Sequence, residues 1–218
     1  MNVDISKRNR MLILASPIVV ILIGFITATV FSKFIGGWAW VPLALVYWST
    51  TGFMVMYFKG DKRIKDWLRK PQSAKASVIL SLLLGMFPLT ILVMNYNLFD
   101  SVMLVVLWLL FALINPWFEE LYWRGILLDA AGDWFPKWAS VIYSTIFFVI
   151  SHPFMWGVFS IANTSYHLYI YLTIMGVVWS ITYFTTKSLR WAIVSHFIVD
   201  VGNLAVLTFL NIYLPPTM

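Results

Sequence analysis

The sequence predicts an all-α, polytopic membrane protein, a helix bundle with about seven transmembrane helices. Three observations lead to this fold class: 61% of the 218 residues are hydrophobic, only 11% are charged, and the mean hydropathy is +0.85. An average soluble domain carries about 25% charged residues, so the composition excludes a soluble globule. Because one crossing takes about 20 apolar residues, seven crossings occupy nearly the whole chain, and we expect a single transmembrane domain over residues 1–218.

Seven apolar runs mark the expected spans in chain order. They are residues 11–32, 38–58, 76–96, 101–115 with a continuation to about 130, 138–157, 166–186 and 191–214. The first run is too long for the apolar part of a signal peptide, and no small-residue cleavage pattern follows it, so we expect it to be a span. A Gly36-Gly37 turn separates the first two runs, and Pro215-Pro216 stops the last helix.

The basic residues lie between particular runs and therefore predict the topology. Of the 15 Lys and Arg residues, seven lie in the stretch 59–75, and others precede the first run or separate the sixth run from the seventh. Cytoplasmic loops collect Lys and Arg. We therefore expect the amino terminus and these two links inside, and the links 97–100 and 158–165 and the carboxyl terminus outside, with Lys33 as the exception. This distribution favours contact with a lipid bilayer and argues against a nucleic-acid partner.

Ionisable side chains inside the apolar runs are few. They are Glu119, Glu120 and Arg124 in the fourth run, His152 in the fifth, and His196 and Asp200 in the seventh. Each costs about 2.5 to 3.5 kcal/mol to insert into a membrane, so each is a candidate for a functional role. The chain contains no cysteine, which excludes disulfides and thiolate chemistry and leaves carboxylates, histidines or hydroxyls.

Helical spacing gives the two adjacent glutamates different neighbours on the helix. Glu120 and Arg124 are four residues apart in the order that favours an ion pair, whereas Glu119 has the uncharged Trp123 at its own i+4 position. A carboxylate without a local cation is a candidate general base. In the alternative interpretation, both glutamates and Arg124 form one structural ion-pair cluster near the cytosolic headgroups, and the spacing alone does not decide between the two.

The histidines strengthen the case for a site. His196 and Asp200 share a helix face at i, i+4 spacing, and His152 precedes Pro153, which weakens the helix there. One isolated buried histidine is usually structural, but two within apolar runs indicate a polar site. Helical rise allows all of these residues to meet between the cytosolic half and the middle of the bilayer. Hydroxyl catalysis by Ser151 or Ser195 is disfavoured, because a residue adjacent to a histidine points about 100° away from it on a helix.

Three motifs occur in order on separate predicted helices: Glu119-Glu120-x-x-x-Arg124, Phe148-x-x-x-His152 and His196-x-x-x-Asp200. In these motifs the chain resembles the CPBP family, which contains the CAAX prenyl endopeptidases and the bacterial Abi-type proteins linked to bacteriocin processing and self-immunity. The resemblance covers about residues 101–205. CAAX endopeptidases have Asn in the last motif, where this chain has Asp200, a variant associated with bacterial members.

The resemblance implies an intramembrane, glutamate-dependent endopeptidase. Glu119 assisted by His152 would activate water, His196 and Asp200 would form the oxyanion site, and the supporting residues would be Glu120, Arg124 and Phe148. The implied substrate is a membrane-associated peptide or a prenylated protein, no cofactor is implied, and the expected location is a bacterial plasma membrane. The sequence does not indicate an oligomeric state.

Three alternatives remain. Glu119, His152, His196 and Asp200 could ligate Zn²⁺, which is disfavoured because no His-Glu-x-x-His motif occurs. A non-enzymatic membrane protein that binds a bacteriocin or a sensor kinase, as an immunity factor or a regulator, would tolerate loss of Glu119. A transporter is the third alternative. It is disfavoured because no paired Gly/Pro-interrupted helices occur in two matching halves of the sequence.

Overall fold

The computed structural model describes residues 7–59 and 64–215, which form a bundle of helices without β-strands. The predicted all-α, polytopic bundle is confirmed. Part of the topology prediction rests on residues outside the described ones, namely Lys62, Arg63, Pro216 and the carboxyl-terminal Met218. The side chains of Lys7 and Arg8 also lie outside the described part of the chain.

Eleven α-helices follow one another along the described residues. They are α1 (Lys7–Ile35), α2 (Trp40–Phe58), α3 (Ile64–Trp67), α4 (Lys75–Met86), α5 (Leu89–Asn95), α6 (Val102–Glu119), α7 (Leu128–Gly132), α8 (Lys137–Met155), α9 (Tyr166–Thr186), α10 (Arg190–Gly202) and α11 (Ala205–Phe209). A π-helical segment, Glu120–Leu127, connects α6 to α7. Short 3₁₀ turns at Gly36–Ala39, Tyr96–Leu98, Trp156–Val158 and Ile161–Thr164 join other helices.

Five stretches of the described chain are long and apolar enough to cross a membrane. They are Asn9–Phe58, Lys75–Leu98, Val102–Gly132, Lys137–Val158 and Tyr166–Thr186. The first contains α1 and α2, which pack against each other across the Gly36–Ala39 turn, so it corresponds to the first two predicted runs. Gly36 has a φ of 55° in this turn, a conformation that glycine adopts without strain.

The seventh predicted run is not one long helix. It is divided into α10 and α11 by Asn203 and Leu204, and Leu204 has a left-handed φ of 55°. Gly202, at the end of α10, approaches the α5 amino terminus so closely that a Cβ atom would lie 2.7 Å from the Leu89 nitrogen. The close packing of α10 on α5 therefore depends on a residue without a side chain.

Segments from several helices meet at one end of the bundle. The Leu189 N–H donates to the Trp67 carbonyl over 2.8 Å, the Gln72 N–H donates to the Thr186 carbonyl over 2.7 Å, and Arg10 lies 3.4 Å from Asp133. We call this end, formed by the start of α1, residues 64–75, residues 128–137 and residues 186–190, the basic end.

The remaining turns meet at the other end of the bundle. Ser160 Oγ donates to the Thr208 carbonyl over 2.9 Å, and the Ile161 N–H donates to Asn211 Oδ1 over 2.9 Å. We call this end, formed by residues 36–39, 96–101, 156–165 and 203–215, the opposite end. The helices between the two ends expose apolar side chains on the outside of the bundle, such as Ile18, Phe53 and Ile170, as expected for a protein solvated by lipid.

Candidate active site

Three elements bring the predicted site residues together. The junction of α6 and the π-helical segment carries Glu119, Glu120 and Arg124, and α10 carries His196 and Asp200. All five side chains are buried, with at most 5% of each residue exposed. Because buried charges are stable only when they are paired and hydrogen bonded, the contacts among these residues define the site.

The π-helical segment was not predicted from the sequence, which indicated an ordinary α-helix through this region. The wider π-helix begins at Glu120, one turn after Pro116, and leaves Glu120, Trp123 and Arg124 fully or almost fully buried. π-helical turns inside α-helices are found frequently at functional sites.

Glu120 is the centre of the network. Its Oε1 accepts a hydrogen bond from Arg124 Nη1 over 3.1 Å, which is the i, i+4 pair that the spacing predicted. The same oxygen lies 2.9 Å from His196 Nδ1. Since an ionised carboxylate only accepts hydrogen bonds, His196 Nδ1–H is the donor of this contact. Glu120 therefore holds both Arg124 and the His196 ring.

Aromatic rings enclose the two cationic partners of Glu120. The Arg124 guanidinium lies over the Phe148 ring, 4.1 Å from its centroid, and 5.1 Å from the Trp179 centroid. The His196 ring stacks on Trp179 with 4.6 Å between centroids and 23° between planes. Cation–π contacts of this kind are strongest where water is excluded, as it is here.

His196 Nε2 faces the other two carboxylates. It lies 3.6 Å from Glu119 Oε2 and 3.7 Å from Asp200 Oδ2. Because Nδ1–H is used by Glu120, Nε2 carries a proton only in the imidazolium form, which is the form that can donate to an oxyanion. Glu119, Glu120 and Asp200 together supply the countercharge to that imidazolium.

Glu119 has a free oxygen atom. Its Oε2 is buried and has no hydrogen-bond partner within the described part of the chain, since 3.6 Å to His196 Nε2 is too long for a hydrogen bond. The hydroxyl of the buried Tyr47, which accepts a hydrogen bond of 2.8 Å from Trp123 Nε1, interacts with Glu119. A water molecule in the neighbouring cavity could therefore donate to Glu119 Oε2.

Asp200 is held by a residue that the sequence analysis missed. Asn115 Nδ2 donates to Asp200 Oδ2 over 3.2 Å, and Asn115 Oδ1 accepts from Trp48 Nε1 over 3.0 Å. The signal was available, because Asn115 is a polar residue in an apolar run, one helical turn before Glu119. Nothing in the local sequence indicates that Trp48 from α2 completes this chain of hydrogen bonds.

His152 approaches the site from α8. Its Nδ1 lies 2.9 Å from the Phe148 carbonyl, and the Phe148 ring contacts the His152 ring edge-on at 5.0 Å between centroids. A backbone carbonyl only accepts, so Nδ1–H is the donor and Nε2 of the neutral ring is left as a proton acceptor. Phe148 thus contacts both His152 and Arg124, which gives this predicted supporting residue a physical role.

A cavity of about 410 Å³ borders the site. Glu119, His152, His196, Asp200 and Asn115 line it together with apolar side chains that include Phe111, Trp156, Leu172, Met175 and Phe209. A largely apolar pocket with a few convergent polar groups is typical of sites that bind and transform small ligands or peptide segments.

Hydroxyl catalysis and a metal site are the two alternatives to water activated by Glu119. Ser195 Oγ donates to the Ser81 carbonyl and accepts from Trp179 Nε1, and Ser151 Oγ donates to the Phe148 carbonyl, so both hydroxyls have structural partners. Across residues 7–59 and 64–215, no group of three or more His, Cys, Asp or Glu side chains is arranged to hold a metal ion.

Residues 101–202 match the family described as type II CAAX prenyl endopeptidase Rce1-like. The chain carries an Rce1-like segment. This match confirms the resemblance to the CPBP family and supports, at the level of the family, an intramembrane protease of the CAAX type.

The Rce1-like segment begins at the N-cap of α6, Ser101, and ends with Gly202, the last residue of α10. It contains all seven residues that the motifs singled out, whereas Tyr47 and Trp48 lie before it. Neither a curated protein nor a solved structure matches the chain.

Proposed function

We propose that the chain is a glutamate-dependent intramembrane endopeptidase that hydrolyses a membrane-associated peptide with water activated by Glu119 and His152. The observation that carries this proposal is the free Oε2 of buried Glu119 beside the cavity that His152, His196 and Asp200 also line. The Rce1-like match of residues 101–202 supports a protease in general, and the assignment of roles to individual residues is our own.

The proposed reaction begins with a water molecule between Glu119 Oε2 and His152 Nε2. Glu119 accepts one proton of the water, and the oxygen attacks the carbonyl carbon of the scissile peptide bond. The negative charge then forms on the carbonyl oxygen, where His196 Nε2–H donates to it. Glu119 returns the proton to the leaving nitrogen, the C–N bond breaks, and the products are a carboxylic acid and an amine.

The other polar residues of the site act through these groups. Glu120 orients the His196 ring through Nδ1, and Asn115 orients the Asp200 carboxylate that faces Nε2. Arg124 balances the charge of Glu120. A buried network whose members hold one another in this way keeps donors in position before the charge develops, which is the basis of electrostatic catalysis.

The experiment compares the wild-type chain in detergent with the Glu119→Gln variant on a membrane-associated peptide. Mass spectrometry of the products detects a new carboxyl terminus if the bond is hydrolysed. We expect cleavage by the wild type and a loss on the order of 100-fold or more in the variant, the usual contribution of a general base. The matched control is Asp133→Asn, which removes an exposed carboxylate outside the cavity and should cleave at the wild-type rate.

Equal cleavage by the wild type and by Glu119→Gln would remove Glu119 from the mechanism. If the wild type binds a bacteriocin or a sensor kinase without cleaving any peptide, and Glu119→Gln binds it equally well, the chain is a non-enzymatic immunity or regulatory protein.

A further inference from the structure

The basic end carries a large excess of positive charge on its exposed surface. Segments 64–75 and 186–190 contain one acidic residue, Asp66, and six basic ones. Five of the six basic side chains are exposed and one is half-buried. The six are Lys65, Arg69, Lys70, Lys75, the half-buried Lys187 and Arg190. A surface with this charge balance attracts anions.

Two arginines of this surface are held in place by backbone carbonyls. Arg69 Nε donates to the Lys187 carbonyl over 2.7 Å, and Arg190 Nε donates to the Leu68 carbonyl over 2.6 Å. Each arginine thus bonds to the segment that carries the other one. Both bonds use only Nε, and no hydrogen bond or ion pair within the described part of the chain uses the Nη atoms of either guanidinium.

The two segments are fixed to each other by further hydrogen bonds. The Ser188 hydroxyl donates to the Arg69 carbonyl over 2.8 Å, next to the backbone bond from Leu189 to Trp67. The carbonyls that orient the two guanidinium groups therefore belong to one hydrogen-bonded surface. Side chains that are already oriented lose less conformational entropy when a ligand binds.

The available donors indicate the kind of ligand. A planar guanidinium whose two Nη groups are available presents parallel N–H donors, which match two oxygens of a phosphate or carboxylate group. Two such groups on one surface, with lysines beside them, suit an anion that has several acceptor oxygens. A phosphate group meets this requirement better than a carboxylate, which has only two oxygens.

The same surface borders the lipid-facing side of the bundle. α4 begins at Lys75, and Ile79, one turn later on the same helix face, is 56% exposed. Arg190, at the start of α10, is followed one turn later by Val194, which is 41% exposed. Because α4 begins a stretch that is long and apolar enough to cross a membrane, these basic residues lie at the level of the lipid headgroups. A phospholipid has its charged and apolar parts in this same order.

We propose that the basic end binds the phosphate group of an anionic phospholipid, with Arg69 and Arg190 as the residues that contact the phosphate. The acyl chains of this lipid lie along the exposed apolar faces of α4 and α10. The lipid connects segment 64–75 to segment 186–190, which leads directly into α10. Bound lipid therefore stabilises the folded chain and takes no part in the chemistry of the cavity.

Lipid binding to the purified chain in a neutral detergent tests the proposal. Phosphatidylglycerol is compared with phosphatidylcholine of the same acyl chains, which has no net charge, and with inorganic phosphate. Native mass spectrometry measures binding, and the Tm measures stabilisation, because a ligand that binds only the folded state raises the Tm. We expect phosphatidylglycerol to bind about tenfold or more tighter than phosphatidylcholine and to raise the Tm, and inorganic phosphate to leave the Tm unchanged.

Two outcomes of this comparison overturn the proposal. Equal affinity for the two lipids shows that the headgroup charge is not recognised. A rise in Tm with inorganic phosphate as large as that with phosphatidylglycerol shows a site for soluble phosphate instead of lipid.

Substitutions test the location of the site. We expect Arg69→Gln combined with Arg190→Gln to weaken phosphatidylglycerol binding about tenfold or more, and Arg69→Lys combined with Arg190→Lys to weaken it as well, because lysine keeps the charge but lacks the planar fork. Lys33→Gln removes a charge near the opposite end and should bind the lipid as the wild type does. Wild-type affinity in the Lys double variant shows a diffuse attraction to positive charge and overturns the role of the arginines.

The arginine variants also lose their bonds to the backbone, so a second pair guards against misfolding. Lys70→Gln combined with Lys75→Gln removes two exposed charges from the same surface, and neither lysine side chain forms a hydrogen bond among the described residues. We expect weaker phosphatidylglycerol binding with an unchanged Tm in the absence of lipid. Wild-type affinity in this pair contradicts the proposal. None of these readouts depends on peptide cleavage, so the lipid site is tested independently of the proposed function.

Discussion

Glu120 supports the site without facing the cavity. One of its oxygens accepts hydrogen bonds from both Arg124 and His196, and the residue is fully buried. Both glutamates keep one buried oxygen without a hydrogen-bond partner among the described residues, but only Glu119 lines the cavity. Two neighbouring carboxylates thus have different tasks, because one is neutralised by Arg124 and the other borders the cavity.

This division predicts different effects of two substitutions. Arg124→Ala removes the permanently charged partner of the buried Glu120 and leaves it only the His196 ring, and breaking a buried ion pair typically costs about 3 to 5 kcal/mol. We expect a lower yield of folded protein and a lower Tm for Arg124→Ala. Glu119→Gln keeps the shape of the side chain and should leave both nearly unchanged or slightly improved. If Glu119→Gln lowers the Tm as much as Arg124→Ala, the two carboxylates share Arg124, and the assignment of Glu119 as the free base is wrong.

Asn115 should matter for turnover although it was not part of any motif. In Asn115→Leu, the buried Asp200 Oδ2 loses its donor, which costs about 1 to 3 kcal/mol, and the half-buried indole N–H of Trp48 loses its acceptor. We expect peptide cleavage to fall about tenfold or more in steady-state assays, because 1.4 kcal/mol corresponds to one factor of ten. Thr185→Val, an exposed substitution on α9, is the control. Unchanged kcat and KM in Asn115→Leu would show that Asp200 does not need this donor.

Metal removal is the third test at this scale. The carboxylates and histidines of the site are held by one another, by Asn115 and by the Phe148 carbonyl, and they are not arranged as a ligand set. Cleavage should therefore persist after treatment with a chelator, and metal analysis should find well under one equivalent. If the protein contains stoichiometric zinc, and chelation removes both the zinc and the activity, the metal-dependent mechanism is correct instead.

At the scale of the helices, local patterns were predictable and contacts between helices were not. The Glu120–Arg124 pair follows from spacing along one helix. The contacts of His196 with Glu120 and Trp179 depend on how α6, α9 and α10 are rotated about their axes, which side-chain packing decides. The π-helical segment and the break between α10 and α11 likewise reflect tertiary packing, which overrides the local preference for a continuous α-helix.

Asp129 joins three elements at the basic end. Its Oδ2 accepts from Trp67 Nε1 over 3.0 Å and its Oδ1 accepts from the Tyr183 hydroxyl over 2.7 Å, so it links α3, α7 and α9. Asp129→Ala leaves both donors without this acceptor, and we expect a lower Tm and faster proteolysis within residues 64–75. A wild-type rate of proteolysis in Asp129→Ala would show that the segment is held by its backbone hydrogen bonds to residues 186–190 alone.

At the scale of the whole molecule, composition and the order of apolar runs predicted the helix bundle, because a membrane allows few alternatives to helices. The positions of Lys and Arg predicted which loops share a side, and the contacts among residues 64–75, 128–137 and 186–190 agree with that grouping. The cavity itself was not predictable, since its shape depends on how side chains from several helices pack against one another.

The most direct test of the central claim, that Glu119 is the general base, is chemical rescue of Glu119→Ala. This variant removes the carboxylate and enlarges a cavity that already measures about 410 Å³, so formate can occupy the vacated position. We expect Glu119→Ala to cleave the peptide on the order of 100-fold more slowly than the wild type, and its rate to rise with formate concentration. Cleavage by Glu119→Ala at the wild-type rate in the absence of formate would contradict the claim.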